Sequence, residues 1–288
     1  MISGRGETRT VSSPVGASWS LCALPRSRLG FSIVELLVVI GIISALIALM
    51  FPALRLAREQ ARIVKCLTNL RQIGIAHQGY YDETNRVPAG VRDTMRSETI
   101  APWSFGGIGN RERWPWILRW SAGQRPMNYY LYPGAVSPTE ERNIPDEERP
   151  DLAVYRCPSD SFSYAFLPWG EPYDVSAYED IGSSYTQNML YTSCQCSFVT
   201  NSDLQTSLDI GLSRLAMRYG DRFIYYLEEP ANEAISRQRR YKGHHGEVGG
   251  HTVLYLDGHA AYIHIDTTEP LGDGWTMLDP ELPNPFDD

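Results

Sequence analysis

Five of the six histidines of the chain fall in its last third, in the run His244-His245-Gly246-Glu247-Val248-Gly249-Gly250-His251 and then at His259 and His264. Imidazole and carboxylate groups are the usual donors to zinc and related cations, so metal-assisted chemistry would be sought here. Hydrolysis also needs a nucleophile or an activated water held against those donors, and the spacing supplies neither. Five cysteines, Cys22, Cys66, Cys157, Cys194 and Cys196, form no C-x-x-C pair and no zinc-finger spacing. Cys194 and Cys196 are separated by one residue and are poorly placed to bond to each other. A third candidate surface is aromatic: Trp103, Trp114, Trp116 and Trp120 suit sugar stacking or a partner face, and equally suit a core.

The elements that must carry these groups are legible in outline. HTVLYL, Asp257-Gly258 and HAAYIHI read as two strands around a two-residue type I′ turn, since Asp-Gly supplies the positive φ angles it needs. That register sets Leu256 opposite His259, Val253 opposite Tyr262, and His251 opposite His264, placing the last pair on one face. His251 and His264 are therefore the weak metal candidates. With no third ligand near them, no metal or other cofactor is expected. Residues 86–150 are rich in proline and glycine and read as long loops with short strands. Within them Glu140 to Arg149 reads as a solvated loop. Residues 266–288 hold seven acids and no base and read as a solvated acidic tail.

The 288 residues allow one sizeable domain with an appendage. Aromatics at 11% support a packed core. A net charge of -8, with no basic stripe beyond the first 65 residues, argues against nucleic acid as a partner.

The appendage is the segment from residue 31 onward. Leu36 to Leu54 is free of charge and apolar on every helical face, close to the length of about 20 residues that spans a bilayer. It is too long for the apolar core of a cleaved secretory signal, and no A-x-A-like site follows it before Pro52. Arg26 and Arg28 precede it and favour a cytoplasmic N-terminus, although Arg55, Arg58, Arg62 and Lys65 follow it. Beyond Pro52, which should kink the helix, Leu54, Ala57, Ala61, Val64, Leu67, Leu70, Ile73, His77 and Tyr80 recur with helical period. Glu35 stands out, because an ionised carboxylate in a membrane helix costs about 2.5–3.5 kcal/mol and is usually paired and functional. The plain alternative is an acid at the helix entry, favoured by the helix dipole.

Gly30-Phe31-Ser32-Ile33-Val34-Glu35, followed by the apolar run, resembles the cleavage and methylation signature of prepilins, the family of type IV pilins and type II secretion pseudopilins. The resemblance implies cutting after Gly30 by a prepilin peptidase and N-methylation of Phe31. It also implies pairing of Glu35 with the terminal amine of a neighbouring subunit during assembly. The segment Cys66-Leu-Thr-Asn-Leu-Arg-Gln-Ile-Gly, with Tyr155-Arg-Cys-Pro-Ser-Asp160 and Ser183-Ser-Tyr185, resembles the pseudopilin-like DUF1559 proteins with an H-X9-DG region. Asp257-Gly258 matches the DG and His245 the histidine, though eleven residues rather than nine separate His245 from Asp257. Cys66 and Cys157 lie inside two of these motifs. The resemblance thus suggests a disulfide between them, against the alternative of two buried thiols.

The expected protein is α+β and pilin-like, with a long N-terminal helix packed on an antiparallel sheet head with long loops. Its parts are a cytoplasmic leader (1–30), a transmembrane helix (31–54), an amphipathic extension (55–85), an exported head (86–265) and the tail (266–288). It would sit singly spanning the inner membrane, with the head in the periplasm or on the cell surface, and join other pilin-like subunits in a filament without catalysing a reaction. The rival expectation is a membrane-anchored enzyme, or a carbohydrate- or metal-binding protein, using residues 244–264 or 103–120.

Overall fold

The computed structural model describes residues 31–88, 91–94, 97–110, 120–134, 151–164, 174–188, 190–191 and 204–281. The chain forms two compact units, one ending at Pro52 and the other beginning at Ala53. Gly30, Cys22, Trp114, Trp116, Glu140 to Arg149, Cys194 and Cys196 lie outside the described residues.

In the first unit the helix α1 (Ile33–Thr84) begins. The Ser32 N–H donates to Glu35 Oε2 at 2.8 Å and the Glu35 N–H donates to Ser32 Oγ at 3.1 Å. This reciprocal pair is a capping box, which satisfies two of the donors that every helix start leaves open. From Leu36 through Ile40 five consecutive apolar side chains are exposed, so every side of the helix is greasy. The helix is long and apolar enough to cross a membrane. Pro52 lies within the helical run.

In the second unit α1 turns a narrow face inward: Ile63, Cys66, Asn69, Leu70, Ile73, Ala76 and His77 are buried. The expected stripe is thus correct from Leu67 onward, where Leu67 packs against the core, but wrong before it, because Val64 is 59% exposed while its neighbour Ile63 is buried. His77 is buried where the stripe placed it, whereas the buried Asn69 occupies a position the hydrophobicity pattern leaves outside.

α1 packs on a four-stranded antiparallel sheet of β3 (Tyr185–Gln187), β4 (Ile224–Glu228), β5 (Gly250–Tyr255) and β6 (Ala260–His264), in that spatial order. This is the α+β architecture the sequence suggests. β1 (Val91–Thr94) and β2 (Ser97–Ile100) form a separate hairpin. Of the helices, α2 (Asn128–Leu131) and α3 (Ala177–Ile181) are single turns, and α4 (Leu204–Tyr219) and α5 (Glu229–Ser236) flank β4. Cys66, Leu70, Ile73, Phe105, Tyr155, Tyr226 and Leu254 build one core. Ile224, Leu227, Val253, Ala231, Ile235, Trp275 and Met277 build a second. β4 and β5 are buried along their whole length, which is why β4 runs apolar from Ile224 to Leu227 instead of alternating.

The loop-rich region is organised by a buried cation. Arg125 donates to the carbonyls of Trp103 and Gly106 at 2.8 Å, of Ile181 at 2.7 Å, and to Asn110 Oδ1 at 2.9 Å. Of the stretch read as an acidic tail, residues 266–281 pack against the head. Trp275, Met277 and Leu278 enter the second core, while Asp279 and Glu281 pair with Arg214 and Arg218 of α4. Apolar side chains among the acids anchor a segment whose charge alone would leave it in water.

Candidate functional site

Three segments far apart in the chain meet beneath α1. The first is α1 itself, where Cys66 faces inward and Asn69 Nδ2 donates to the Arg156 carbonyl at 2.9 Å, drawing the next segment onto the helix. The second is the turn at Cys157, closed by Asp160 N–H to the Cys157 carbonyl at 3.1 Å. Its Asp160 carboxylate accepts the N–H groups of Ala177 and Tyr178 at 2.9 Å and the Ser184 hydroxyl at 2.6 Å. Ser184 Oγ in turn accepts the Cys157 N–H at 2.9 Å. The third is the turn Gly243 to Gly246, which presents His245. A Cβ on Gly243 would lie 2.1 Å from the Gly250 carbonyl oxygen and 2.8 Å from His251 Nδ1, so this approach requires glycine.

His245 is the hub. Its Nδ1 lies 2.6 Å from Glu59 Oε1 of α1, and its Nε2 lies 3.6 Å from Cys157 Sγ and 3.5 Å from Glu228 Oε1 of β4. Cys66 Sγ, Cys157 Sγ and a His245 ring nitrogen all fall within 4.8 Å of one another, and all three residues are buried. The cysteines are two thiols in the structure, without a bond between them. Glu228 is fully buried. Its Oε1 accepts the Thr252 N–H at 3.0 Å and hydroxyl at 2.7 Å, and its Oε2 accepts the His244 N–H at 3.0 Å and faces His251 Nδ1 at 3.6 Å.

This crowding moves the charges. The hydrogen bond from Cys157 pulls the Cys66 thiol down to about 6, against burial and with help from His245. Burial pushes the Cys157 thiol up. Burial would lower His245, but Cys66, Glu228 and Glu59 raise it to about 9. Burial would raise Glu228, yet the imidazoles of His251, His244 and His245 around it bring it to about 2. Burial likewise opposes, and the His245 and Ser159 hydrogen bonds outweigh it, in holding Glu59 below its ordinary value. The directions favour a thiolate at Cys66 beside a protonated His245, with two carboxylates flanking them.

Thiol, imidazole and orienting carboxylate are the parts of a cysteine nucleophile. Both sulphurs, however, belong to side chains with no exposed surface, and a nucleophile needs access. The same donors suit either a disulfide or a metal ion.

Residues 55–217 match the family described as protein of unknown function, DUF1559. The chain belongs to the DUF1559 family. No curated protein and no solved structure matches it. The DUF1559 match contains Glu59, Cys66, Cys157 and Asp160, whereas Glu228 and His245 lie beyond it.

Among the residues singled out in this DUF1559 chain, Cys66, Cys157 and His245 converge, His244 and His251 gather around the same Glu228, and His259 and His264 lie exposed elsewhere. The Asp257-Gly258 hairpin is present with a different turn. Gly258 N–H donates to the Tyr255 carbonyl at 3.0 Å, Tyr255 N–H to the His259 carbonyl at 2.9 Å, and Gly258 has φ +92°. This is a three-residue loop with one left-handed residue, so the register slips by one: His251 pairs with Ile263 and Gly250 with His264. A one-residue slip reverses facing. His251 is buried beside Glu228, whereas His264 is exposed and lies 3.4 Å from Glu247. The structure therefore does not bring the two weak metal candidates together. Trp103 and Trp120 are buried with Ala177 and Ile181, which makes them core and not a sugar-stacking surface. Phe31 is exposed, and Glu35 caps α1. Glu59 and Glu228 escaped notice in the sequence. Glu59 reads as one surface charge among several, and Glu228 closes a strand with no motif around it. The one available signal was a carboxylate directly after the apolar run Phe223 to Leu227, in a strand otherwise without charge.

Proposed function

We propose that this chain is a pilin-like assembly subunit. A prepilin peptidase cuts it after Gly30 and methylates Phe31, leaving it spanning the inner membrane once, with its N-terminus cytoplasmic and its head in the periplasm or on the cell surface. Its apolar helix then packs with other pilin-like subunits in a cell-envelope filament of the type II secretion or type IV pilus kind. The chain catalyses no reaction and is itself a substrate of the peptidase.

The observation that carries this reading is the helix start. From Leu36 through Phe51 the side chains are apolar and exposed all round, and Glu35 is the single charge at their head. Such a surface calls for lipid or for other helices. Membership of the DUF1559 family agrees with it.

Glu35 has two roles to separate, since it also caps its own helix. Glutamine serves equally well at that capping position but carries no charge for a neighbour's terminal ammonium. Glu35→Gln should therefore keep processing and membrane insertion and lose incorporation into filaments, read by shearing and immunoblotting of surface fractions. Normal incorporation of Glu35→Gln would reduce the acid to a cap. Mass spectrometry of the mature N-terminus is the companion test: methylated Phe31 is expected, and an intact leader in cells that make the peptidase would overturn the reading.

A further inference from the structure

We propose that Cys66, Cys157, His245 and Glu228 form a structural zinc site that clamps α1 to the sheet of the head. The inference rests on the head alone and holds whether or not the chain enters a filament.

Tetrahedral zinc bound by sulphur and nitrogen at about 2.3 and 2.0–2.1 Å separates neighbouring donor atoms by about 3.3–3.8 Å. His245 Nε2 stands 3.6 Å from Cys157 Sγ, and Cys66 Sγ, Cys157 Sγ and a His245 ring nitrogen lie within 4.8 Å of one another; Glu228 Oε1, 3.5 Å from His245 Nε2, stands beside them as the fourth donor. Thiolate, imidazole and carboxylate are all zinc ligands, and two thiolates with an imidazole make the set soft enough to favour zinc over magnesium or calcium. The outer contacts are also in place. Glu59 Oε1 holds His245 Nδ1 at 2.6 Å, the carboxylate–histidine arrangement that fixes the tautomer and aims the other nitrogen at a metal. Thr252 N–H and hydroxyl hold the Glu228 oxygen that faces His245.

A Cys66–Cys157 disulfide is the competing fate of the two sulphurs. It would leave His245 Nε2 turned toward sulphur without a ligand role and Glu228 as a fully buried anion beside it. A divalent cation uses all four groups and offsets that buried negative charge. The four ligands come from α1, the turn at Cys157, β4 and the turn at His245. Closing them on one ion joins the helix that continues into the membrane segment to three parts of the head, and no open coordination position is left for catalysis.

The test uses the full chain, purified in detergent without a polyhistidine tag. Metal content by mass spectrometry should give about one zinc per chain. Mass mapping should find Cys66 and Cys157 alkylated only after chelation and unfolding, and never linked to each other. A strong chelator should lower the melting temperature of the wild type, and zinc but not magnesium should restore it. Replacement by cobalt should produce the visible bands of a tetrahedral thiolate site, a readout that needs no variant to fold. Glu59→Gln should weaken zinc binding about 10- to 100-fold, and His264→Ala should leave it unchanged. A metal-free protein with a Cys66–Cys157 disulfide overturns the proposal. So does zinc retained at full stoichiometry in Cys66→Ser and His245→Ala, or cobalt bands without thiolate character.

Discussion

Glu59 and His245 stand 186 positions apart in the chain and meet at 2.6 Å, the carboxylate on α1 accepting from Nδ1 of a glycine-flanked turn. The contact ties the first turns of the head's helix to the segment before β5. It also explains why a charge on the outer flank of α1 is half-buried when its helical neighbours Arg55 and Arg58 are exposed.

Glu59→Gln should therefore destabilise the head as well as perturb the cluster. A hydrogen bond to a charged group contributes about 1.5–3 kcal/mol when buried, and the partial exposure of Glu59 reduces this to about 1 kcal/mol. Urea denaturation of the detergent-solubilised chain, followed by tryptophan fluorescence, should show that loss. A double-mutant cycle with His245→Gln should give a coupling of about the same size. Additive effects of the two changes would mean that the contact carries no stability.

His77 predicts a pH dependence. Its ring is buried, with Nδ1 3.1 Å from the Tyr226 hydroxyl and its edge against Tyr225, and burial lowers its pKa from 6.5 to about 4. The folded state thus binds fewer protons than the unfolded state between these two values. Stability is intact above about 6.5 and declines as the pH falls toward 4, by about 3 kcal/mol in all. Denaturation midpoints at pH 7, 5 and 4 should fall less steeply in His77→Gln than in the wild type. Equal slopes would show that the ring is protonated without penalty in the fold.

Gly258 isolates a backbone effect. Its φ is +92° and no heavy atom lies within 4 Å of a Cβ built there, so alanine meets no clash and feels only the left-handed conformation. Gly258→Ala should cost about 1–2 kcal/mol, and Gly258→Asn less, because asparagine tolerates that region. Thermal unfolding of the two variants gives the order. Alanine as mild as asparagine would argue for a turn that relaxes to another register.

The sequence by itself determined what local pattern can carry. An uncharged run of apolar residues behind Glu35 dictates an exposed greasy helix whatever follows it, because no face is left for water. The period of Leu70, Ile73 and His77 and the Asp257-Gly258 turn likewise placed the helix extension and the last hairpin.

The tertiary structure decided the rest. The Asp-Gly dipeptide serves both a two-residue and a three-residue loop, and only the pinning of the tip, Leu256 N–H to the Phe223 carbonyl and Asp257 N–H to the Gly220 carbonyl at 3.0 Å, accompanies the register that buries His251 and exposes His264. The meeting of Cys66, Cys157, His245, Glu59 and Glu228 depends on packing between α1, the turn at Cys157 and the region from β4 to His245, many tens of positions apart. Short-range periodicity carries no information on such distances, so Glu59 looked like one surface charge among several and Glu228 like the end of an ordinary strand.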